Sequence, residues 1–509
     1  MRRPTPPFGD YNLLDLVLGA SMRSLLPVGL LSVVAGCAAP VQFTCLESDP
    51  LCEIVAVLSD ERPAATGVDI VGLAAYQGVE HWILKDGEEM VDEVRLAAGR
   101  ETVFRVFIEP HDDFVSREIT ARVYVFQSGK LAGAGQANLA PLGLSSETDL
   151  ASTINVRIAG SAMDGDATVQ VELVEASATA SGPEREGESV WPDGDPHPLV
   201  VEQNGGLLRV YYVPVVQKDG DTEYAPDMSD DHVESIRRQM WAAFPTADVE
   251  LEIGEDYVPT YLISDNNAWS NLLNEMVNLR SDPDRGVEPD QYVYGVFSAS
   301  VACSGCPAGL SYLAYSDNAD YSRASIGYDS ISAATMVHEI GHAHGREHSP
   351  CGGAAGPDPN YPHEGAIIGV RGYDLLSDVL FEPDTVYDFM SYCWPAWSSD
   401  YTWEALFQRI KGVNALYNAA PSNARLATTA LRPLFIGADG ELSWGEPLRG
   451  ALAPAGLATP VEVLDELGRP VAVLDAVFVP YDHLPGGMIV MPDPVAGRVR
   501  VAGRLSPAL

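Results

Sequence analysis

Residues 338–348 of this 509-residue chain read HEIGHAHGREH, and this stretch decides how the rest of the chain is interpreted. The segment from Ser332 to His344 lacks proline and holds several good helix formers, which predicts a helix. On a helix, His338 and His342 are four residues apart, so both imidazoles share one face and can reach one ion. Glu339 follows the first histidine, where its carboxylate can act on a water beside that ion. The pattern predicts a metal site on a helix.

The end of the same stretch supplies a third ligand. Gly345 has the permissive backbone that ends a helix and turns the chain, so that His348 can come round to the first two histidines. Three protein ligands leave a fourth coordination position for water, which distinguishes a catalytic zinc from a closed structural one. We therefore predict one catalytic Zn²⁺ held by His338, His342 and His348. Five residues of fixed type at fixed spacing make a chance match rare.

The pattern HExxHxxGxxH resembles that of the metzincin metallopeptidases. Metzincins also carry a methionine turn beneath the metal, and residues 388–392 read DFMSY. The Met-Ser-Tyr part is most similar to the serralysin and astacin branches. The resemblance implies a zinc endopeptidase in which Glu339 is the general base, Met390 forms the floor of the site and Tyr392 stabilises the transition state. It spans about residues 200–415.

Short segments of alternating polarity flank the motif on both sides. Those between residues 66 and 175, such as ITARVYVF at 119–126, predict an antiparallel β-sandwich. Residues 176–198 are rich in Ser, Gly, Pro and Glu, which is typical of a linker. The catalytic domain is expected over 199–418 and a C-terminal β domain over 419–509.

The predicted fold class is multidomain α+β. The catalytic domain is expected to have the metzincin-like architecture, a twisted, mainly parallel sheet with helices. All-β, sandwich-like domains are expected on either side of it. Within the catalytic domain, apolar residues at helical spacing predict a helix over 230–243, and the run LLRVYYV at 207–213 predicts a buried strand.

The beginning of the chain carries an export signal. Residues 23–37 read RSLLPVGLLSVVAGC, a positive charge and an apolar run too short to span a bilayer. We predict a signal peptide over 1–36, with Met22 as an alternative start. The ending resembles a bacterial lipobox, which implies cleavage before Cys37 and acylation of that residue. Residues 37–65 would then form a lipid-anchored tether, in a protein held at a bacterial membrane or surface or else secreted.

The charge balance excludes one class of partner. The chain has 72 acidic and 31 basic residues, a net charge of −41, so it would be repelled by a phosphate backbone. We predict protein or peptide substrates, a membrane contact through the lipid, and no nucleic acid. The acidic excess is interpreted as a solvated surface, because no clear Ca²⁺-binding loop is present.

Seven cysteines are present, and the six other than Cys37 are an even number, as expected of an exported, oxidised protein. Cys303 and Cys306 are more consistent with a disulfide than with half a zinc knuckle. Cys351 and Cys393 bracket the loop between the third histidine and the methionine turn, and a bridge there would join both parts of the site. Six cysteines allow fifteen pairings, so other pairings stay open.

Two alternatives accompany the peptidase prediction. One is a cell-surface adhesin, a glycan- or protein-binding lipoprotein around a metzincin-like core without turnover. The intact Glu339 and Tyr392 argue against it. The other keeps the peptidase and narrows its substrates to glycoproteins, with the flanking β domains presenting the sugars.

Overall fold

The computed structural model describes residues 62–90, 95–177, 189–330, 333–419, 430–448, 454–493, 495 and 497–509. The predicted signal peptide, Cys37, most of the predicted tether and residues 178–188 of the predicted linker lie outside the described residues, as do Cys45 and Cys52. None of the helices in the described part of the chain is long and apolar enough to cross a membrane.

The N-terminal region consists of strands. They are β1 (Val68–Tyr76), β2 (Glu80–Lys85), β3 (Glu88–Glu89), β4 (Leu96–Ala97), β5 (Thr102–Pro110), β6 (Ile119–Gln127), β7 (Lys130–Leu139), β8 (Ile154–Ile158), β9 (Ala167–Glu175), β10 (Val190–Trp191), β11 (His197–Pro198) and β12 (Val201–Glu202). One sheet has the order β3-β2-β1-β5-β8 and a second has the order β10-β9-β6-β7, with β11 also on β9. All strand pairs in these two sheets are antiparallel.

Both sheets contribute to one apolar core, because side chains alternate between the two faces of a strand. Phe104, Val106 and Ile108 of β5 face this core, which Val123 of β6 and Val171 of β9 close from the other sheet. The intervening β5 residues point the other way, onto a cluster with Tyr373 and Leu375 from later in the chain. The second face of β5 is therefore also buried.

The middle of the chain holds all four α-helices among the described residues. They are α1 (Asp230–Ala243), α2 (Asn266–Ser281), α3 (Ala334–Ala343) and α4 (Asp400–Ala419). Its strands are β13 (Leu207–Val215), β14 (Gln217–Asp219), β15 (Thr222–Tyr224), β16 (Asp248–Ile253), β17 (Tyr292–Phe297), β18 (Gly309–Ser311), β19 (Ala324–Tyr328), β20 (Gly372–Asp374), β21 (Val379–Phe381), β22 (Tyr387–Asp388) and β23 (Ala396–Trp397).

Five of these strands form a mixed sheet in the order β16-β13-β17-β19-β18. The first four pair in parallel and β18 joins the edge antiparallel. Strand β13 is buried on both faces: Val210 and Tyr212 meet residues of α1 and α3, whereas Tyr211 and Val213 meet residues of α2. The sheet therefore separates two cores.

The C-terminal strands are β24 (Leu431–Ile436), β25 (Leu442–Trp444), β26 (Leu457–Leu464), β27 (Pro470–Pro480), β28 (Gly487–Pro492), β29 (Arg498–Val501) and β30 (Arg504–Leu505). They form one antiparallel sheet in the order β25-β24-β28-β27-β26-β29-β30. Met488 and Val490 of β28 share a core with Trp269 and Leu272 of α2, whereas Ile489 faces a core within the C-terminal sheet itself. The C-terminal sheet thus completes the core on one face of the mixed sheet.

The predicted fold class is wrong. The described residues are mostly β, with thirty strands in eight sheets against four helices, and antiparallel pairing predominates. The chain does not form the expected metzincin-like core, which would be richer in helices, although four of the five strands in its central sheet do pair in parallel. Several strands have only two or three residues, as at 96–97 and 201–202, and are held by pairing with distant segments. A strand of two or three residues is too short to show a periodicity, so it cannot be predicted from the sequence. The domain boundaries stay predictions.

A buried arginine joins the N-terminal sheets to α1. The Arg100 side chain is fully buried and donates to the backbone carbonyls of Gln77, Thr246 and Ala242 at 2.6, 2.7 and 3.3 Å. Its guanidinium also lies 4.4 Å from the centre of the Trp241 ring. One side chain therefore satisfies carbonyls on both sides of the contact, where water is excluded.

We predict that Arg100→Ala lowers the free energy of unfolding by about 3 kcal/mol, because it leaves buried carbonyls without donors. Urea unfolding followed by fluorescence measures the change. Arg469→Ala is the matched control, since its side chain is 71% exposed and pairs with Asp465, and such surface pairs contribute little. Equal effects of the two substitutions would contradict the structural role assigned to Arg100.

Candidate metal centre

Helix α3 carries His338, Glu339 and His342 on its buried side. Met336, Val337 and Ile340 of the same helix pack into the core beneath the mixed sheet, which fixes the helix axis. The two histidines lie one helical turn apart, with their Nε2 atoms 3.1 Å from each other. Such a short separation between two neutral nitrogens is typical of ligands that share an ion.

The chain reverses after α3 through Gly345, whose φ of +83° lies in the left-handed region. An ideal Cβ there would stand 2.4 Å from the Ala314 carbonyl oxygen, so the position favours glycine for space as well as for conformation. The reversal returns His348 to the first two histidines, with ring centres 5.3 Å from His338 and 4.6 Å from His342. The structure thus brings the three predicted ligands together.

Each of these histidines is oriented through its other ring nitrogen. The Nδ1 atoms of His338, His342 and His348 lie 2.8, 2.6 and 2.7 Å from the backbone carbonyls of Phe389, Arg346 and Ala355. A carbonyl accepts only from a protonated Nδ1, so this pattern leaves the Nε2 lone pair free for a ligand. The imidazoles are held ready to bind through Nε2.

The methionine turn lies beneath the helix. Met390 is fully buried, and an ideal Cβ on Gly341 would stand 2.4 Å from its sulfur, so helix and turn are in close contact. Asp388 holds the turn, since its buried carboxylate accepts from Ser349 Oγ at 2.9 Å and from the Met390 N–H at 2.8 Å. A further hydrogen bond comes from Ser399 Oγ at 2.5 Å.

A disulfide adds a covalent link to the same region. Cys351, three residues after His348, is bonded to Cys393, three residues after Met390, with Cα atoms 5.7 Å apart. A second disulfide joins Cys303 and Cys306. The first of these ties the loop after the third histidine to the methionine turn, so both remain close to α3.

Two residues that the sequence analysis did not identify enter the site from the C-terminal sheet. Asp482 and His483 lie in the turn between β27 and β28, and the Asp482 side chain is fully buried. His483 Nε2 lies 3.2 Å from Glu339 Oε1, and its Nδ1 lies 2.5 Å from the Tyr392 hydroxyl. Asp482 Oδ2 lies 3.3 Å from His342 Nε2 and 2.9 Å from His483 Nε2. An isolated Asp-His pair carries no spacing signal, which is why the sequence did not identify it.

Burial and mutual charge shift the titration of the whole group. Burial lowers the pKa of His338 to about 3, with a further decrease from His483, and burial also lowers the pKa of His342 and His348. These three are therefore neutral near pH 7, the form that binds metal. Burial, together with the charge of Asp482, raises the pKa of Glu339. Burial opposes the charged form of His483, but Glu339 and Asp482 outweigh it and raise its pKa to about 12.

The donor set fits a zinc ion. Four histidine nitrogens, those of His338, His342, His348 and His483, lie within 4.8 Å of one another, and imidazole nitrogen is a preferred zinc ligand. Glu339 Oε2 and His348 Nε2 are also buried without a hydrogen-bond partner among the described residues. Buried polar atoms ordinarily have partners, so these orphaned atoms indicate a place for a cation.

Two other histidines close to the motif in sequence are not part of the site. His344 is buried and stacks on Tyr292 with ring centres 4.2 Å apart, while its Nδ1 lies 2.7 Å from the Ile340 carbonyl. His363 hydrogen-bonds Asp400 at 2.6 Å, away from the metal centre. Neither residue belongs to the cluster. Cys37 lies outside the described residues.

A cleft of about 590 Å³ opens beside His338 and Glu339. Its walls come from the end of α1, the start of α3 and the segments around 374–376 and 389–398. They are largely apolar, and the larger side chains among them are Val337, Leu376, Phe389, Trp394 and Trp397. The cleft has the size and polarity of a site for an apolar side chain.

Comparisons with known proteins do not assign a family. No protein-family model and no curated protein matches the chain. A solved structure from Bacteroides fragilis, provisionally assigned as a beta-galactosidase, matches with 10% identity over 46% of this chain and a TM-score of 0.16. The chain spans 40% of that protein's length. A likeness this weak carries no argument about fold or activity.

We predict that Gly341→Ala destabilises the protein by about 1–3 kcal/mol, because the added methyl group overpacks against the buried Met390. The helix propensity of alanine alone would stabilise by about 1 kcal/mol, so the sign of the change is diagnostic. Thermal unfolding of Gly341→Ala, Met390→Ala and the double variant measures it. The double variant should be more stable than the sum of the single effects predicts. Additive effects, or a stabilised Gly341→Ala, would rule out the contact.

Proposed function

We propose that the chain is a zinc-dependent endopeptidase of the metzincin type that hydrolyses peptide bonds in extracellular proteins. The observation that carries the proposal is the convergence of His338, His342 and His348 beside the buried carboxylate of Glu339. Three imidazoles with free Nε2 atoms and one carboxylate next to them are the groups that metal-assisted hydrolysis needs. The motif in the sequence and this arrangement support the same chemistry independently of the overall fold.

The three histidines would hold the ion, and each has a backbone carbonyl to keep it neutral and correctly oriented. When bound, zinc supplies Lewis-acid chemistry, polarising a carbonyl and making water more acidic. The protein places hydrogen-bond donors, a general base and the substrate around the metal position. Met390 and Asp388 do not react; they support the histidines from below.

Glu339 is the proposed general base and acid. It takes a proton from the attacking water as the C–O bond forms, and it delivers that proton to the leaving nitrogen as the C–N bond breaks. Burial and the nearby Asp482 raise its pKa, which favours a carboxyl group that can both accept and return a proton. Tyr392, whose ring centre lies 5.0 Å from that of His348, would donate a hydrogen bond to the oxygen that gains negative charge.

Two features support a peptide as the substrate. Strand β18 is the antiparallel edge of the mixed sheet, and Gly309 lies against the Glu339 side chain, so that an ideal Cβ there would be 2.3 Å from Glu339 Oε1. An extended peptide can add to such an edge through its backbone. The apolar cleft beside Glu339 would take one of its side chains, which favours bulky apolar residues next to the cleaved bond.

We predict that Glu339→Gln lowers kcat for hydrolysis of an unfolded protein such as casein by about 10²–10⁴-fold while zinc content stays at wild-type level. Peptide release and metal analysis measure the two quantities. Glu364→Gln is the control, since this exposed carboxylate lies outside the site. A chelator should abolish the wild-type activity and added zinc should restore it. Normal turnover by Glu339→Gln would sink the assignment, and bound zinc without turnover would favour the binding-protein alternative.

We also propose that the protein is exported and held at a bacterial membrane by acyl chains on Cys37, a proposal that rests on the sequence alone. Acyl chains anchor by burying methylene groups, each contributing about 0.8 kcal/mol. In fractionated bacterial cells, Cys37→Ser should move the protein from the membrane to the soluble fraction, whereas the control Cys45→Ser should not. Membrane attachment that survives Cys37→Ser would exclude the anchor.

A further inference from the structure

We propose that His483, in the turn between β27 and β28, is a fourth protein ligand of the metal and that it closes the site. The inference rests on the proposed metal centre and deepens it. It concerns a residue far from the HExxHxxGxxH motif in sequence, on a different sheet. The geometry of four rings, the pattern of their hydrogen bonds and the docking of the turn carry it.

The four imidazole rings are arranged like the corners of a tetrahedron. His483 has its ring centre 5.4 Å from that of His338, 5.6 Å from His342 and 4.9 Å from His348. The three motif histidines are 4.6 to 5.3 Å from one another. Rings that bind zinc through Nε2 at about 2.1 Å have centres about 3.2 Å from the ion, so four at tetrahedral corners lie about 5 Å apart. All six separations agree with that value.

His483 is held through its Nδ1, which lies 2.5 Å from the Tyr392 hydroxyl, and its Nε2 faces the common centre. That Nε2 also lies 3.2 Å from Glu339 Oε1 and 2.9 Å from Asp482 Oδ2, so a metal ion would replace the proton that His483 shares with these carboxylates. Metal-binding histidines in proteins are ordinarily oriented in this way. Among the described residues, His344 and His363 lack this arrangement, because their contacts lie elsewhere.

Asp482 is the neighbouring candidate, and the geometry favours His483 over it. The ligand atoms that lie within 4.8 Å of one another around the three motif histidines include a ring nitrogen of His483, whereas Asp482 groups with Glu339, His342 and His483 only. Asp482 is instead anchored to the sheet edge, since its Oδ1 accepts from the Ser311 N–H at 2.9 Å. Its second oxygen lies against the imidazoles of His342 and His483 and supplies negative charge beside the ion.

The turn between β27 and β28 is hydrogen-bonded to the sheet edge at which a peptide substrate would have to bind. The Asp482 N–H donates to the Ser311 carbonyl at 3.2 Å, and the Leu313 N–H donates to the Pro480 carbonyl at 3.3 Å, along the edge of the mixed sheet at and just after β18. Tyr481 adds a buried hydrogen bond from its hydroxyl to Asn274 Oδ1 of α2, at 2.8 Å. The turn therefore takes the backbone groups at the edge that an extended peptide would use.

The consequence is a closed site, in which His483 contacts both the proposed metal position and the proposed catalytic side chains. A zinc ion with four protein ligands has the closed coordination of a structural site, and hydrolysis needs one of those positions. The same residue, His483, contacts Glu339 and Tyr392, the proposed base and oxyanion donor. Activity then requires the 481–486 turn to leave the centre, whereas the motif histidines stay in place.

The experiment loads the full chain with Co²⁺ and records its absorption spectrum for wild type, His483→Ala and His483→Cys. A thiolate bound directly to Co²⁺ gives a charge-transfer band in the near ultraviolet, so His483→Cys should show this band and the wild type should not. Asp482→Cys and His111→Ala are controls, the second because His111 is an exposed histidine paired with Asp69. Circular dichroism and thermal unfolding check that each variant folds.

We expect His483→Ala to bind Zn²⁺ about 10–100-fold more weakly in competition with a chelator, as loss of a ligand contact implies. A site that is open only part of the time keeps only that fraction of its full activity, and His483→Ala removes the ligand that closes it. This variant should therefore hydrolyse casein about tenfold faster or more. Neither quantity should change in His111→Ala.

The outcomes separate this inference from the peptidase proposal. Stoichiometric Co²⁺ without a band in His483→Cys, together with unchanged zinc affinity in His483→Ala, would overturn the fourth ligand and leave the peptidase standing. A band in Asp482→Cys instead would give the position to Asp482 and would equally overturn it. A band in His483→Cys without hydrolysis by any zinc-loaded variant would leave the ligand in place and overturn the peptidase.

Discussion

The structure depends on a cluster of six ionisable side chains packed closely around a single point. His338, Glu339, His342, His348, Asp482 and His483 lie within contact distance of their neighbours, and the first four and the Asp482 carboxylate are buried. Desolvation of this kind disfavours every charged form, and only opposite charges or a shared cation can offset it. Such a cluster must be held by rigid surroundings, and those surroundings account for much of the architecture.

Three supports converge on the cluster from different directions. Helix α3 is fixed by the core on one face of the mixed sheet, and the methionine turn is fixed beneath it by the buried Asp388. The third support comes from the opposite face, where α2 and the C-terminal sheet share a core and bring β27 and β28 to the sheet edge. The first two supports share one hydrophobic core and the third rests on another, so the geometry of the site depends on the packing on both faces of the mixed sheet.

The sequence predicted some of this well and the rest poorly, for physical reasons. The helix expected over 230–243 is α1 with those bounds, and β6 extends one residue beyond the strand expected at 119–126. In each, apolar spacing repeats long enough to be seen. Strand β7 escaped prediction because Gly133 and Gly135 replace apolar residues, and an ideal Cβ at either would stand within 2.6 Å of a neighbouring strand or turn. The motif histidines were identifiable because one helix and one turn fix their spacing.

The fold class failed because a short motif does not determine the architecture of a long segment. Most strands in that segment have only two or three residues, too few to show a periodicity in the sequence. Asp482 and His483 could not be found from spacing, since the contact between β18 and the C-terminal turn is purely tertiary. A site assembled in this way is visible only once the strands are paired.

The pairing of β27 with β28 has a consequence for how such chains could be recognised. Val477 lies opposite Val490, and Val479 lies opposite Met488, so the turn follows at a set number of residues from the paired strands. Because strand side chains alternate, inserting or deleting one residue in β27 would exchange its two faces and carry the turn away from the cluster. Many substitutions in β27 would leave the position of the turn unchanged, whereas a change in the length of the strand would move it. Related chains could therefore diverge almost completely in residue identity and still share one measurable trait, the count of residues from the strand to the Asp-His pair.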